Sequence, residues 1–134
     1  MSLKRVVVTG ANGFIGQHVC RQLVSSGKQV TACIREQADL SVFRNLSGPV
    51  TVCKMPSLGL SADLSHILRN ADAVIHLAAR VHVMREAAND PLFQFRKVNV
   101  SGTENLVSLA VQNGVRRFIY VSSIKVNGDD DRFR

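Results

Sequence analysis

Short apolar runs rich in β-branched residues alternate with amphipathic stretches along the chain. Arg5-Val-Val-Val-Thr9 is an unbroken apolar run of strand length, the pattern of a strand covered on both faces. Across residues 13–26, Ile15, Val19 and Leu23 recur every four positions and Gly27 follows as a stop, which predicts a helix. Gln29–Arg35 reads as a second strand, 37–46 as a short helix ended by Ser47-Gly48-Pro49, and 50–54 as a third strand. A helix is predicted over 61–70 and a strongly apolar fourth strand over 72–78. A long helix follows over 89–112, with Asp90 as N-cap, Pro91 at the first helical position and Asn113-Gly114 as its stop. Residues 116–122 make a fifth strand, and the polar Asn127-Gly-Asp-Asp-Asp-Arg reads as a turn. Strands alternating with helices at this spacing mean βαβ units with right-handed crossovers, hence an α/β protein with a parallel sheet.

Thr9-Gly10-Ala11-Asn12-Gly13-Phe14-Ile15-Gly16 adds chemistry to that frame, because it leaves the first strand and opens the first helix. Gly10 suits the tight turn, Gly13 lets backbone amides approach a pyrophosphate, and Gly16 lets the helix pack close to the strand. The helix start, with Phe14 and Ile15, offers free N–H groups and positive dipole to phosphates. A glycine pattern in this strand–turn–helix setting is a dinucleotide-binding signal. At the end of the second strand a carboxylate would select NAD and an arginine would accommodate the 2′-phosphate of NADP. Arg35 stands there and points to NADP(H), while Glu36 beside it keeps NAD open.

Charge and composition then narrow the partners. Lys and Arg number 17 against 10 Asp and Glu, a formal net charge of +7. The basic residues form short separated clusters, only 5% of residues are aromatic and there is no Trp, which argues against a nucleic-acid partner and fits a phosphate-rich small ligand. No apolar run reaches the length of a membrane span or a signal-peptide core. Cys20, Cys33 and Cys53 form no CxxC pair, so reduced thiols in a cytoplasm are the simplest expectation, with Cys33 and Cys53 buried in strands. His18, His66, His76 and His82 are scattered without metal-ligand spacing, so no metal site is expected.

Four segments in order resemble the extended short-chain dehydrogenase/reductases that act on nucleotide sugars. They are Thr9 to Gly16, His76-Leu77-Ala78-Ala79-Arg80, Asn99-Val100-Ser101-Gly102-Thr103, and Val121-Ser122-Ser123-Ile124-Lys125-Val126-Asn127-Gly128. Ala79 to Met84 and the serine segment look most like bacterial sugar epimerases and 4-ketoreductases acting on UDP-linked sugars for surface polysaccharide. The resemblance implies a Rossmann-like doubly wound parallel sheet of about five strands in order 3-2-1-4-5. It also implies NADP(H) or NAD as cofactor, and a nucleotide sugar as substrate of the intact parent. Leu77, Ala78 and Ala79 would lie beside the cofactor. Ser57 and Leu58 would stand where similar enzymes carry Asp-Leu at the adenine, with Ser57 replacing the carboxylate. Asn99 would bridge backbone groups near the active site, and Ser123 would be the catalytic serine that hydrogen-bonds the reacting sugar oxygen.

The family's Tyr-x-x-x-Lys pair has no match in these residues: the sole tyrosine, Tyr120, is followed four positions on by Ile124 and reads as a packed strand residue. The chain is therefore read as residues 1–134 of a partial NAD(P)-binding domain, inactive alone, with the C-terminal substrate-binding region absent. A fifth strand at the sheet edge and an unpartnered 89–112 helix predict exposed apolar surface and homo-oligomers through that helix. The rival reading is a non-catalytic, dinucleotide-binding regulatory module. Ser123 and its surrounding segment favour the enzyme, since a sensor has no chemical need of them.

Overall fold

The structure, a computed structural model, describes residues 3–81 and 90–127. His82, Met84, the predicted helix start at residue 89 and the turn beyond residue 127 lie outside the described residues. Five strands form one sheet: β1 (Arg5–Thr9), β2 (Gln29–Arg35), β3 (Val50–Met55), β4 (Ala73–His76) and β5 (Arg117–Tyr120). Their order is β3-β2-β1-β4-β5 and every pairing is parallel, as expected. β1 lies at the centre, with Val6 opposite Val30 on one side and Ala73 on the other.

Alternate residues of these strands feed two cores, one on each face. Val7, Cys33, Met55 and Val74 pack with Leu64, Leu68, Leu106 and Ala110. Val6, Val8, Val30, Ala32, Ile34 and Ala73 pack with Cys20 and Val24 of α1 (Phe14–Ser25) and with Phe43. Continuous apolar strands buried on both faces are what a doubly wound sheet demands.

The helices differ from expectation more than the strands do. The predicted 37–46 helix is one 3₁₀ turn, Ser41–Phe43, and the predicted 61–70 helix is one turn, α2 (Ser65–Leu68). A side-chain turn stands at the start of each. The carboxylate of Asp39 accepts the amide of Ser41 at 2.8 Å and that of Asp63 accepts the amide of Ser65 at 3.0 Å. Such side-chain turns compete with the helical ladder. Near the N-terminal ends of β1–β3 a cavity of about 270 Å³ opens between Thr31, Thr51, Ile67 and Arg69.

The long helix is present but interrupted, as α3 (Pro91–Arg96), a π turn (Lys97–Ser101) and α4 (Gly102–Gln112). Asp90 caps it by accepting the amide of Phe93 at 2.9 Å, and Gly114 ends it at φ +72°. At the opposite end of the sheet from the glycine turn, one carboxylate ties three strand starts together. Asp72 accepts the amides of Lys4 and Arg5 at 2.7 and 2.9 Å and pairs with Arg116 at 3.0 Å.

β5 is an edge strand, and Tyr120 is 54% exposed, so it is not the packed strand residue expected from the sequence. With β5 at the edge, the Tyr120 ring packs on one side against His76, centroid to centroid 5.8 Å. All three cysteines are free; Cys33 is buried, whereas Cys53, on edge strand β3, is only half-buried. Among the described residues no helix is long and apolar enough to cross a membrane.

Candidate functional site

The carboxyl ends of β1–β4 surround a cavity of about 330 Å³, at the point where the strand order reverses beside β1. Crevices at such switch points are where doubly wound sheets bind ligands. Of the residues singled out by sequence, Gly10, Gly13, Arg35, Ser57, Leu58, Leu77, Ala78 and Ala79 line it. Asn12, Met55, Pro56, Arg80, Val81 and Val98 complete the lining and were not singled out.

The glycine turn is built by close packing. Gly10 has φ +65°, and a Cβ there would stand 2.9 Å from the amide nitrogen of Ala78, so only glycine both makes this turn and touches the β4 loop. A Cβ on Gly16 would stand 2.2 Å from the carbonyl oxygen of Gly10 and 2.8 Å from Ala11 Cα. Gly16 thus brings α1 against the turn's own backbone, not against the strand as expected. Gly13 is exposed and lines the cavity, and its Cβ would meet only the Gly10 oxygen, at 3.2 Å. The N-terminus of α1 has neither a side-chain cap nor an acidic residue in its first turn. Its amides and dipole are left for an anion. Phe14 and Ile15 are exposed at this end and do not line the cavity with their neighbours.

Two guanidinium groups bring positive charge to the walls. Arg35 ends β2 and is exposed, lining the cavity from the β2 side; Glu36 is exposed and outside the lining. Arg80 lies across the cavity with its guanidinium over the ring of Phe95 at 5.4 Å.

The interrupted helix supplies the scaffold for this wall. Asn99, in the π turn, brackets Arg80: its Oδ1 accepts the Arg80 amide at 2.7 Å and its Nδ2 donates to the Arg80 carbonyl at 3.0 Å. π turns widen a helix locally and often mark functional sites. Asn99 does not line the cavity; it bridges backbone beside it, as the resemblance implied. One turn on, Gly102 lets Leu58 come in, since a Cβ there would stand 2.7 Å from Leu58 Cβ. Asn105 donates to the carbonyls of Gly59 and Ala62 at 3.0 and 2.9 Å. Gly102→Ala should therefore displace the Leu58 wall and destabilise the fold by about 1–3 kcal/mol. Urea unfolding measures it, and an unchanged midpoint would show that the loop yields freely.

A buried polar chain lies behind the cavity. Thr9 and His76 are each 1% exposed, and Thr9 Oγ1 is 2.7 Å from His76 Nδ1. His76 Nε2 is 3.0 Å from Thr103 Oγ1, and Thr103 donates to the Asn99 carbonyl at 2.9 Å. Burial holds His76 down to a pKa of about 4, so the imidazole is neutral. Thr103 was singled out only as part of the Asn99–Thr103 segment, without a role, and Asn105, three residues after Gly102 on the same helix face, was missed. Ser123 is exposed on the segment leaving β5 and does not line the cavity.

The geometry agrees with the comparisons. The sequence profile of the 3-beta hydroxysteroid dehydrogenase/isomerase family matches residues 7–134. The chain is 35% identical over 127 residues to a UDP-glucose 4-epimerase of Vibrio cholerae, covering 94% of this chain and 37% of that protein. Among solved structures, it is similar to the UDP-N-acetylglucosamine 4-epimerase of Methanobrevibacter ruminantium M1 in complex with UDP-N-acetylmuramic acid. That match has a TM-score of 0.79 and 30% identity over 98% of this chain and 42% of that one. It is also similar to the UDP-glucose-4-epimerase of Stenotrophomonas maltophila with bound NAD and formylated UDP-arabinopyranose, with a TM-score of 0.80 and 26% identity over 96% and 40% of the two chains. With the profile matching nearly its whole length, the chain belongs to the 3-beta hydroxysteroid dehydrogenase/isomerase family of extended short-chain dehydrogenase/reductases.

Proposed function

We propose that this chain is the nicotinamide-dinucleotide-binding portion of a nucleotide-sugar oxidoreductase, a UDP-sugar 4-epimerase or 4-ketoreductase. The observation that carries it is the uncapped, acid-free N-terminus of α1 opening beside a cavity with Gly13 at its rim and Arg35 in its wall. A pyrophosphate would take the α1 amides at Phe14 and Ile15. Ser57 and Leu58 would meet the adenine, and Leu77, Ala78 and Ala79 would lie along the dinucleotide. The bound nicotinamide would supply hydride transfer to or from a sugar carbon. Ser123 would serve as the catalytic residue that hydrogen-bonds the sugar oxygen.

Arg35 gives this reading its finer form, NADP(H), because a guanidinium at the end of the second strand can grip a 2′-phosphate in two places. The experiment is calorimetric titration of the chain with NADPH and with NADH. NADPH should bind more tightly, and Arg35→Ala should weaken NADPH about tenfold or more while leaving NADH nearly unchanged, the loss of one charge-assisted contact. Equal binding of the two, with Arg35→Ala affecting neither, would refute the 2′-phosphate site. Absence of binding by either would sink the dinucleotide reading of this chain.

The interrupted helix is also proposed as the surface for homo-oligomers. Phe93, Val100 and Val107 recur every seven residues along it and are exposed, together with Leu92 and Val111. Sedimentation equilibrium should find a dimer or larger species that Val107→Glu with Val111→Glu reduces to monomer. A monomeric parent chain would remove this part of the proposal.

A further inference from the structure

We infer that His76, as the Nε2–H tautomer, is a positioning residue that ties Thr9, at the entry to the glycine turn, to Asn99, whose side chain clamps the Arg80 wall of the cavity, through one unidirectional hydrogen-bond chain.

Donor and acceptor accounting fixes the direction. Thr9 Oγ1 receives the amides of Leu77 at 3.2 Å and Ala78 at 3.1 Å, so both its lone pairs are engaged and its own proton must go to His76 Nδ1. With Nδ1 accepting, the proton of the neutral ring sits on Nε2 and is donated to Thr103 Oγ1. The Thr103 hydroxyl passes its proton on to the Asn99 carbonyl, and the Asn99 amide clamps both backbone groups of Arg80. The opposite tautomer would set two donors against each other at Thr9 and leave Thr103 with two acceptors. His76 thus joins Thr9, which receives the Leu77 and Ala78 amides beside the packed Gly10, to Thr103 on the helix whose Asn99 holds Arg80. The rings of Phe118 and Tyr120 pack against the imidazole in tilted contacts, with centroids at 6.1 and 5.8 Å.

This deepens the proposed function and rests on it only for what the cavity holds. The test uses the full chain without ligand. Long-range ¹H–¹⁵N correlation of the His76 imidazole should show the Nε2–H form; the Nδ1–H form would overturn the inference. Thr103→Val cuts the chain on its half-buried side with little change of volume, and Thr103→Ser keeps the hydroxyl. In Thr103→Val, amide exchange at both Arg80 and Ala78 should rise about tenfold, the scale of one lost hydrogen bond, while Val7 and Val74 keep their protection. Thr103→Ser should restore both. A response at Arg80 alone, or uniform loss of protection, would show that His76 couples nothing. A parallel NADPH titration separates the two readings, since failure to bind cofactor leaves the exchange result standing.

Discussion

Gly16→Ala is expected to lower the melting temperature by about 10 °C or more, and in the extreme to prevent folding. The added Cβ would stand 2.2 Å from the Gly10 oxygen and 2.8 Å from the Cα and carbonyl carbon of Ala11. These are backbone atoms, and neither can retreat. Ala11 is fully buried with its amide bonded to the Cys33 carbonyl at 3.1 Å, and Gly10 is already pressed against the Ala78 backbone on its far side. The turn is therefore held between α1 and the β4 loop, and relief requires moving one of them. We place the cost above about 3 kcal/mol, at the upper end for overpacking, because no flexible side chain can absorb the clash. Gly27→Ala is the control: unlike the helical Gly16 it has a positive φ, +73°, but nothing lies within 4 Å of its Cβ. Its cost should be only the left-handed backbone penalty, about 1–2 kcal/mol. Thermal unfolding of both variants by circular dichroism decides, and equal melting temperatures would refute the packing account.

Acidification should remove about 3 kcal/mol of stability between pH 6.5 and pH 4 through His76 alone. In the folded chain burial keeps this ring neutral until about pH 4, whereas the unfolded ring takes a proton near 6.5. The contribution is therefore whole above pH 6.5, declines as the unfolded state binds its proton, and flattens once the folded ring is also protonated. Protonation would put a second donor on Thr9, so the buried chain offers no acceptor for it. A second loss should begin lower. The amides of Arg5 and Lys4 hold the Asp72 carboxyl down to about 2, so its contribution stands above pH 3.8 and fades as pH falls toward 2. Urea midpoints measured every half unit of pH should show the two steps, and His76→Asn should erase the upper one. A flat midpoint from pH 6.5 to 4 in the parent chain would contradict the first.

The central strands β1 and β4 were legible because each is a short continuous apolar run, and a run buried on both faces needs no periodicity to be recognised, whereas the order of the strands came from the family resemblance. The glycine turn was legible for a similar reason: Gly10 and Gly16 each answer a steric demand that no other residue meets, Gly16 at the turn's own backbone, while Gly13 is exposed at the rim. Arg35 could be placed because strand two ends where its apolar run ends. The helices were harder. Asp39 and Asp63 look from sequence like ordinary first-turn carboxylates, and only their bonds to Ser41 and Ser65 reveal that they close side-chain turns in place of helix. The π turn at Lys97–Ser101 left no trace in spacing, because one inserted residue shifts the apolar face without breaking it. His76 reads as an apolar-strand histidine with no partner in sequence. Its partners, Thr9 and Thr103, lie 67 and 27 residues away, which only the folded sheet brings together.

The central place of β1 has a consequence for the timing of synthesis. β1 leaves the ribosome well ahead of β4, yet it needs neighbours on both sides. The carboxylate that fastens its start belongs to Asp72, 68 residues after Lys4. At about 5–20 residues per second, β1 and β2 pair several seconds before β4 is available. Throughout that interval Val6, Val7 and Val8 present an open strand edge in the middle of the future sheet. The nascent chain is thus most vulnerable to mispairing before its seventy-third residue emerges, and holding by a chaperone matters most in that window.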